Sequence, residues 1–364
     1  MISIQDVKYD CKHFRGGIPC KPNKQFGVNC LNCSHYEPIK TKILIIKLGA
    51  LGDVIRSTPL IERFRKEYPS SHITWLTLSP DILPKDKIDE ILKLDFYSIF
   101  NVENSQFDIA VNLDKDKEAC ILLKKISATN KFGYTWENGH IAQATEKAEH
   151  KLLTGYFDDL SKSNTKNYIQ EIFEICHFEF NGEDYQINLN DKLSVSWTEK
   201  LTQLAQGKKI VGLNTGCGPR WNTRLWKDEY WIETAIQLKN QGFFPVYLGG
   251  ELEHEKNQRL SQQANVFYPG HFSLEEFIAL TNTCDTIITQ VTMMMHIATA
   301  LKKKMVLMNT IFNPYEFELY GRGVIVGPEN ACDCYYGNSC VHNEPCMLSI
   351  LPEKVVQAAQ NLSL

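Results

Sequence analysis

Residues 42–78 read KILIIKLGALGDVIRSTPLIERFRKEYPSSHITWLTL and carry the clearest structural signal of the chain. An apolar run is followed by a turn with two glycines, by apolar residues at helical spacing, and by a second apolar run. Short apolar runs favour buried strands, whereas amphipathic helices space their apolar residues three and four positions apart. The segment therefore predicts a strand, a helix and a second strand.

The same alternation continues along the chain. Further apolar runs, separated by helical patterns, occur at residues 108–113, 209–214, 243–250, 286–291 and 303–309. Such alternation predicts parallel sheets covered by helices on both faces. Because 364 residues exceed what one core usually serves, we expect two such units. The predicted fold class is α/β, with two Rossmann-like doubly wound lobes facing a cleft, since these sheets bind ligands at the carboxyl ends of their strands.

Composition divides the chain into four predicted parts. Residues 1–40 form a cysteine-rich N-terminal segment with too few large apolar residues for a core of its own. Residues 41–195 form the N-terminal lobe and residues 196–330 the C-terminal lobe. Residues 331–364 hold a four-cysteine finger and a C-terminal helix.

Charge and hydropathy exclude two kinds of partner. A net charge of −4 and a pI near 6.2 provide no basic footprint for binding a nucleic-acid backbone. No window approaches the roughly eighteen unbroken apolar residues that a membrane span needs, and the first residues lack the apolar core of a secretory signal. We therefore predict a cytoplasmic protein with no nucleic-acid partner and no transmembrane segment, compatible with a peripheral position at the inner membrane face.

Two carboxylates are candidates for general-base catalysis. Asp53 ends the glycine turn KLGALGD after the first strand and precedes a helix predicted to start near Val54. A carboxylate there either caps the helix or accepts a proton from a hydroxyl that attacks a substrate in the cleft. Asp114 and Asp116 follow the strand at residues 108–113 and form a second candidate, unless they belong to an ordinary charged loop.

The segment GLNTGCGPRWNTRLW, residues 212–226, is the best candidate anion site. The hydroxyl of Thr215, the backbone at Gly216 and the guanidinium groups of Arg220 and Arg224 could hold a diphosphate, because arginine binds phosphate oxygens in pairs. The alternative is a basic loop packed on aromatic residues. The chain lacks the GxxxxGK[ST] pattern of P-loop nucleotide hydrolases.

Two later segments add candidate ligand contacts. Glu251 follows a strand that ends in two glycines, where a carboxylate either binds ribose hydroxyls or caps a helix. Thr292 and His296 lie four residues apart, hence on one face near the start of an apolar helix, where a phosphate or sugar would meet backbone amides. Without a ligand, His296 would be a satisfied core residue and the neighbouring methionines would serve packing.

Eight of the twelve cysteines form two clusters at opposite ends of the chain. The candidate ligands are Cys11, Cys20, Cys30, Cys33, Cys332, Cys334, Cys340 and Cys346. Clustered thiols in a reducing compartment favour metal binding over disulfides, and four thiolates suit a structural zinc or iron ion. Free buried thiols, an iron–sulfur cluster with the same ligands, or His342 in place of one thiol remain open alternatives.

Four ordered segments resemble glycosyltransferase family 9, the heptosyltransferases. They are residues 43–76, residues 214–231 (NTGCGPRWNTRLWKDEYW), residues 246–253 (VYLGGELE) and residues 273–301 (SLEEFIALTNTCDTIITQVTMMMHIATAL). The resemblance covers roughly residues 42–325 of this sequence. It implies a GT-B fold, an ADP-linked heptose or similar nucleotide-sugar donor in the C-terminal lobe, and transfer with inversion and no catalytic metal to a glycan or protein acceptor.

The resemblance also implies roles for single residues. Asp53 matches the proposed catalytic base, Arg224 stands where the family usually has a phosphate-binding lysine, and Glu251 matches an acidic donor contact. Thr292 and His296 match the family's threonine and histidine near the donor.

Two departures from the family pattern widen the range of functions. Val291 and Met293 replace an aspartate and a glycine of the family block, which keeps open a metal-stapled binding or assembly protein without catalysis. A redox protein that uses the cysteines is a third reading. The terminal cysteine segment resembles the iron-binding finger of the autotransporter heptosyltransferases, which modify protein hydroxyls and form rings, so a homo-oligomer is a further expectation.

Overall fold

The computed structural model describes residues 2–218, 222–330, 332–337 and 339–363. The first lobe contains a six-stranded sheet, whose strands are β1 Thr41–Ile46, β2 Ser71–Thr77, β3 Glu90–Lys93, β4 Gln106–Asn112, β5 Ser127–Glu137 and β6 His140–Gln143. The strands lie in the order β3-β2-β1-β4-β5-β6, and all pairs are parallel except β5 with β6. The parallel pairing of β1 with β2 confirms the predicted strand, helix and strand.

The helices of the first part of the chain are α1 Lys21–Phe26, α2 Leu51–Ser57, α3 Pro59–Glu67, α4 Phe96–Glu103, α5 Lys117–Lys125, α6 Glu149–Leu153, α7 Asp158–Ser163 and α8 Tyr168–Ile175. The helix after β1 starts at Leu51, three residues before the predicted start at Val54. Ala50 takes the extended conformation of an N-cap, so Asp53 lies inside the first turn. Pro59 then opens α3, as proline favours the first helical position.

The second lobe contains a five-stranded parallel sheet. Its strands are β7 Ile210–Asn214, β8 Phe244–Leu248, β9 Thr286–Gln290, β10 Lys304–Met308 and β11 Gly323–Val326, in the order β11-β10-β9-β7-β8. The helices are α9 Asp191–Ala205, α10 Asp228–Asn240, α11 His254–Ala264, α12 Leu274–Thr281, α13 Met293–Ala300 and α14 Pro352–Ser363. Two doubly wound sheets confirm the predicted α/β class.

Burial follows from this layering. Residues 43–46 of β1 are fully buried, as expected for a strand covered on both faces. Val355, Val356 and Ala359 of α14 belong to the same apolar core as Trp231 and Leu238 of α10, so the C-terminal helix packs on the second lobe. The predicted boundary between residues 195 and 196 falls inside α9, and the domain limits stay a prediction.

The topology places the ligand-binding edges. The strand order reverses beside β1 in the first sheet and beside β7 in the second, and such switch points leave a crevice at the carboxyl ends. The loops after β1 and β7 are the glycine turn of Asp53 and the candidate anion loop. Helix α2 of the first lobe packs against α13 of the second, which brings these edges together. Within the described residues, no helix is long and apolar enough to cross a membrane.

Candidate functional site

A cavity of about 870 Å³ lies where the two lobes meet. We call it the central cavity. Its first-lobe wall consists of residues 50–53 and Arg56, and its second-lobe walls come from the loops after β7, β8 and β9. Pockets of several hundred Å³ with few polar groups are typical ligand sites.

Asp53 and Arg56 form an ion pair on the first-lobe wall. Arg56 donates from Nη2 to the Asp53 carboxylate at 2.8 Å, three residues along α2, and 35% of the Asp53 side chain stays exposed. Burial alone would raise the pKa of the Asp53 carboxyl, but the Arg56 guanidinium, the Lys47 ammonium and other neighbours hold it below its ordinary value. The Arg56 guanidinium also stacks 3.5 Å from the Tyr168 ring centre. Asp53 is therefore ionised at neutral pH and fixed in position.

His296 meets the first lobe at Gly52. A Cβ atom at position 52 would lie 2.5 Å from His296 Cδ2, so only glycine permits this approach of α2 to α13. Burial, aided by the charge of Arg56 and opposed by Asp53, lowers the pKa of His296 to about 3. The imidazole is therefore neutral across the physiological range, and it lies parallel to the Tyr185 ring at 6.1 Å.

Asp114 lies in a buried ion pair, which differs from the predicted free carboxylate in a loop. Its carboxylate accepts hydrogen bonds from Lys47 Nζ and from the Leu48 backbone N–H. Burial raises the pKa of Asp114, and the Lys47 ammonium opposes that rise. Since both carboxylate oxygens are engaged, the geometry favours a role in fixing the glycine turn, and the predicted role as a base stays a prediction. Asp116 is exposed and precedes α5.

A second cavity of about 340 Å³ adjoins the central one, and we call it the side cavity. Asp53, Arg56, Glu316 and Tyr336 line both cavities. The other side-cavity walls carry mainly ammonium, hydroxyl and carboxylate groups, from Lys115, Tyr134, Lys151, Thr154, Asp158 and Ser161. Burial and the nearby Lys151 lower the pKa of Lys115 to about 8. The base candidate thus lies between a large cavity and a small polar one.

The loop after β7 brings Arg224 to the central cavity. Arg224 is the last residue of a 3₁₀ turn, Asn222–Arg224, and donates to the carbonyls of Cys217 at 2.6 Å and Val291. Its guanidinium also lies over the Phe312 ring, 5.4 Å from the centre. These contacts hold the cation between the loops after β7 and β9. The other predicted cation, Arg220, lies outside the described residues.

The two smaller residues of this loop have different positions. Gly216 lines the cavity, where a Cβ atom would meet the Glu253 carboxylate at 2.3 Å. Thr215 is fully buried, and its hydroxyl donates to Asn257 Oδ1 at 2.6 Å. The predicted donor contact through the Thr215 hydroxyl is therefore replaced by a structural hydrogen bond, because the side chain points into the lobe.

The acid that reaches the cavity after β8 is Glu253 rather than the predicted Glu251. Both belong to a 3₁₀ turn, Glu251–Glu253. Glu253 folds back and accepts from the Gly250 N–H at 3.0 Å, whereas Glu251 is exposed and does not line the central cavity. The turn geometry explains the difference, since a residue three positions after the cap reaches back to it.

Thr292 and His296 both line the central cavity, although Thr292 is the extended residue before α13 and not part of the predicted helical face. Thr292 caps α13, and its hydroxyl accepts from the Met294 N–H at 3.0 Å. The amino end of α13 therefore opens on the cavity, where the helix dipole favours negative charge. Val291 and Met293, the two departures from the family pattern, also line this wall.

The C-terminal cysteines have a geometry that fits one metal ion. The Sγ atoms of Cys332, Cys334 and Cys346 all lie within 4.8 Å of one another. Cys340 Sγ lies 3.3 Å from Cys334 Sγ and 3.7 Å from Cys346 Sγ. A tetrahedral ion with thiolate bonds of about 2.3 Å spaces its sulfur atoms about 3.8 Å apart. His342 is half exposed and pairs with Asp333 at 3.8 Å, outside this group.

The N-terminal cysteines differ. Cys11, Cys20, Cys30 and Cys33 all line one cavity of about 300 Å³. Among the described residues such a group of sulfur atoms within 4.8 Å is found at the C-terminal cysteines and not at these four. The predicted single-ion geometry is therefore not found at this end of the chain.

The cysteine finger, the described part of residues 332–346, also reaches the two cavities. Tyr336 lies between the ligands Cys334 and Cys340, lines both cavities, and donates to Glu316 at 2.8 Å. Tyr335 donates to Ser161 of α7 at 2.6 Å. Sequence reasoning missed Tyr336 and Glu253. Arg56 was missed as well, although the sequence carried a local signal for it, because it lies three residues after Asp53 on the same helix.

Comparisons with known proteins point to a glycosyltransferase family. A family model described as glycosyltransferase family 9 (heptosyltransferase) matches residues 99–332. The chain is 22% identical over 338 residues to lipooligosaccharide heptosyltransferase 2 of Campylobacter jejuni, an alignment that covers 88% of this chain and 98% of that protein.

Solved structures share the fold. The family 9 glycosyltransferase of Veillonella parvula gives a TM-score of 0.68 at 21% identity, covering 90% of this chain and 98% of its own. The dodecameric iron-containing heptosyltransferase TibC of enterotoxigenic E. coli, solved with ADP-D-β-D-heptose, gives 0.55 at 11% identity, covering 89% and 77%. Both alignments span the two lobes described above.

Proposed function

The chain belongs to glycosyltransferase family 9, and from this premise we propose that it transfers a heptose from an ADP-linked donor to a hydroxyl of a glycan or protein acceptor. One observation carries the proposal. The ionised Asp53 lies between a cavity with the fixed cation Arg224 and a polar cavity of different chemistry. This is the arrangement that a base needs between an acceptor and a departing diphosphate.

We place the donor in the central cavity. Arg224 and the amino end of α13 suit the diphosphate, because guanidinium and helix amides both favour phosphate oxygens. Glu253 is positioned to accept hydrogen bonds from ribose hydroxyls in place of the expected Glu251. The apolar side chains of Leu252, Phe272 and Phe277 line the same cavity and would hold a base ring. TibC was solved with such a donor.

The reaction is proposed as one displacement with inversion. The acceptor oxygen forms a bond to the anomeric carbon while the bond from that carbon to the phosphate oxygen breaks. Asp53 accepts the hydroxyl proton, and the negative charge passes to the diphosphate beside Arg224. Since that charge grows during the reaction, a fixed cation stabilises the transition state more than the ground state. A carboxylate of lowered pKa is a weak base, so proton transfer accompanies bond formation rather than preceding it.

We place the acceptor in the side cavity, where polar groups suit a hydroxyl-rich molecule. Lys115 and Lys151 contribute ammonium groups to its wall, and Thr154 and Ser161 contribute hydroxyls. The name of the Campylobacter relative favours a glycan acceptor over a protein. A cytoplasmic enzyme that works at the inner membrane face would fit such an acceptor.

We propose that the cysteine finger binds one structural zinc or iron ion. Cys332, Cys334 and Cys346 form one group of close sulfur atoms, Cys340 lies beside two of them, and the backbone N–H of Val341 donates to Cys334 Sγ at 3.3 Å. The ion would fix the finger and would take no part in the displacement. The iron content and dodecameric state of TibC also lead us to propose a homo-oligomer.

Incubation of purified protein with a panel of nucleotide sugars and with glycan and protein acceptors tests the function. Transfer from an ADP-linked heptose with release of ADP is the expected result. If the protein binds nucleotide sugars but neither transfers nor hydrolyses them, the result favours the alternative of a binding or assembly protein without catalysis. Membership of a transferase family argues against that alternative.

The pH profile gives a first check on the assigned groups. kcat/KM should stay level from about pH 5 to about pH 7, because the lowered pKa of Asp53 keeps its carboxylate ionised in this range. Activity should fall as Lys115 loses its proton near its pKa of about 8. Initial rates over this pH range measure both the level region and the fall at alkaline pH. In Lys115→Met the fall at alkaline pH should disappear. A rise in activity between about pH 6 and 7 would point to a histidine base instead.

Tyr336 tests the link between the finger and the donor. Tyr336→Phe removes the hydrogen bond to Glu316, so we expect the donor KM to rise about fivefold, the effect of a bond worth about 1 kcal/mol. Chelation of the finger metal should raise the same KM, because the finger then loses its fixed shape. Tyr315→Phe, at an exposed tyrosine nearby, is the matched control. An unchanged donor KM after complete metal removal would contradict this link.

A further inference from the structure

The N-terminal segment gathers four cysteines that are far apart in sequence. Cys11, Cys20, Cys30 and Cys33 are separated by eight, nine and two residues, yet all four are half-buried and line one cavity. The family match begins at residue 99 and assigns these residues no role. Short turns and α1 fold the segment so that the four cysteines reach the same cavity.

The spacing of these thiols differs from that of the finger. In the finger, sulfur atoms approach to 3.3 and 3.7 Å, close to the separation of about 3.8 Å around one tetrahedral ion. At the N-terminus no three described sulfur atoms come within 4.8 Å of one another, and the four cysteines line a cavity of about 300 Å³. This spacing is wider than that of thiolates around one tetrahedral ion, whereas a polynuclear centre holds its cysteine ligands further apart.

We propose that these four cysteines bind an iron–sulfur cluster. Four thiolates are the usual ligand set for such clusters. The remaining cavity wall includes the apolar side chains of Val7, Phe14, Ile18 and Val28, and the four cysteines themselves are half-buried. The sequence favoured a single ion at each end of the chain. The cavity instead favours a cluster at the N-terminal end.

The same centre explains how the segment holds a shape. Its large apolar residues Ile4, Tyr9, Ile18, Phe26 and Leu31 are more than half exposed, so burial contributes little. Small domains without a sufficient core are commonly ordered by metal binding, whose free energy becomes folding free energy. The cluster would supply this stabilisation.

The position of the segment indicates a structural role. It joins the first lobe through an ion pair of Lys12 with Asp89 at 3.3 Å and through the Lys40 N–H, which donates to the Ser70 carbonyl at 2.9 Å. It leads directly into Thr41 at the amino end of β1, whereas Asp53 follows the carboxyl end. The cluster would therefore lie at the edge of the sheet opposite the catalytic groups, and it would order the segment without entering the transfer reaction.

Anaerobically purified full-length protein, reconstituted with iron and sulfide, tests the proposal. We expect visible absorbance, acid-labile sulfide at about two to four atoms per chain, and a similar number of iron atoms. Cys30→Ser should lose the sulfide and make the first forty residues sensitive to protease. Labile sulfide separates this centre from the finger, where one ion bound by thiolates contains none.

The control variant is Cys346→Ser, which removes a ligand of the finger. It should keep the labile sulfide in full, and Cys30→Ser should keep transferase activity. Wild-type protein that holds zinc or isolated iron without labile sulfide would overturn the proposal, as would sulfide that survives in Cys30→Ser or disappears in Cys346→Ser. If the wild-type protein contains labile sulfide but shows no transferase activity, that result contradicts the proposed function and still supports the cluster.

Discussion

Asp53→Asn should lower kcat by about two to four orders of magnitude, the usual effect of losing a general base. The amide keeps the shape of the side chain but cannot take the acceptor proton. Donor affinity should change little, because Arg224 and the walls of the second lobe hold the nucleotide. Steady-state kinetics with saturating donor and acceptor measure the loss, and calorimetry measures donor binding.

Two other aspartates serve as controls for this variant. Asp116→Asn alters an exposed carboxylate on the loop after β4 and should leave kcat unchanged. Asp114→Asn should mainly lower the free energy of unfolding, since it leaves the buried Lys47 ammonium without its partner. Turnover of Asp53→Asn at the wild-type rate would mean that Asp53 only stabilises the start of α2. A kcat loss in Asp114→Asn without lost stability would restore Asp114 as a base.

Arg224→Ala should weaken donor binding by about ten- to a hundredfold, the range for a charged hydrogen bond worth about 1.5–3 kcal/mol. The guanidinium is held by two backbone carbonyls and is therefore preorganised for the diphosphate. Since the leaving group gains charge, kcat should fall as well. Calorimetric titration with the donor measures the affinity, and titration with the free nucleoside diphosphate shows how much of the loss comes from phosphate binding.

Matched arginine variants separate charge from structure. Arg224→Lys keeps the charge but loses the paired donors, so it should bind the donor with intermediate affinity. Arg259→Ala removes an exposed arginine of α11 that pairs with Asp228, and it should bind the donor normally. Thermal unfolding of each variant shows whether the loop after β7 has lost stability. Wild-type donor affinity in Arg224→Ala would remove this residue from the site.

The fold was largely predictable because its signals are local. The apolar runs and the glycine turn at Asp53 set each strand and the loop that follows it, and parallel strands place such loops at one edge. The spacing of Thr292 and His296 at the start of one helix likewise brings both to the central cavity, and their ligand contacts stay a prediction.

The misplaced residues depend on contacts between distant segments. Asp114 binds Lys47 in the turn after β1, and the Thr215 hydroxyl turns inward to Asn257 of α11. Glu253 reaches the cavity through the geometry of a single 3₁₀ turn, which residue type alone does not distinguish from Glu251. Tyr336 enters through the finger from the far end of the chain, and no local pattern marks it.

The contact of Gly52 with His296 gives one position unusual control over the enzyme. Even the methyl group of an alanine at residue 52 would collide with the His296 ring, so a side chain there would push α2 and α13 apart. The close approach of the two lobes beside Asp53 therefore depends on a residue without a side chain at position 52.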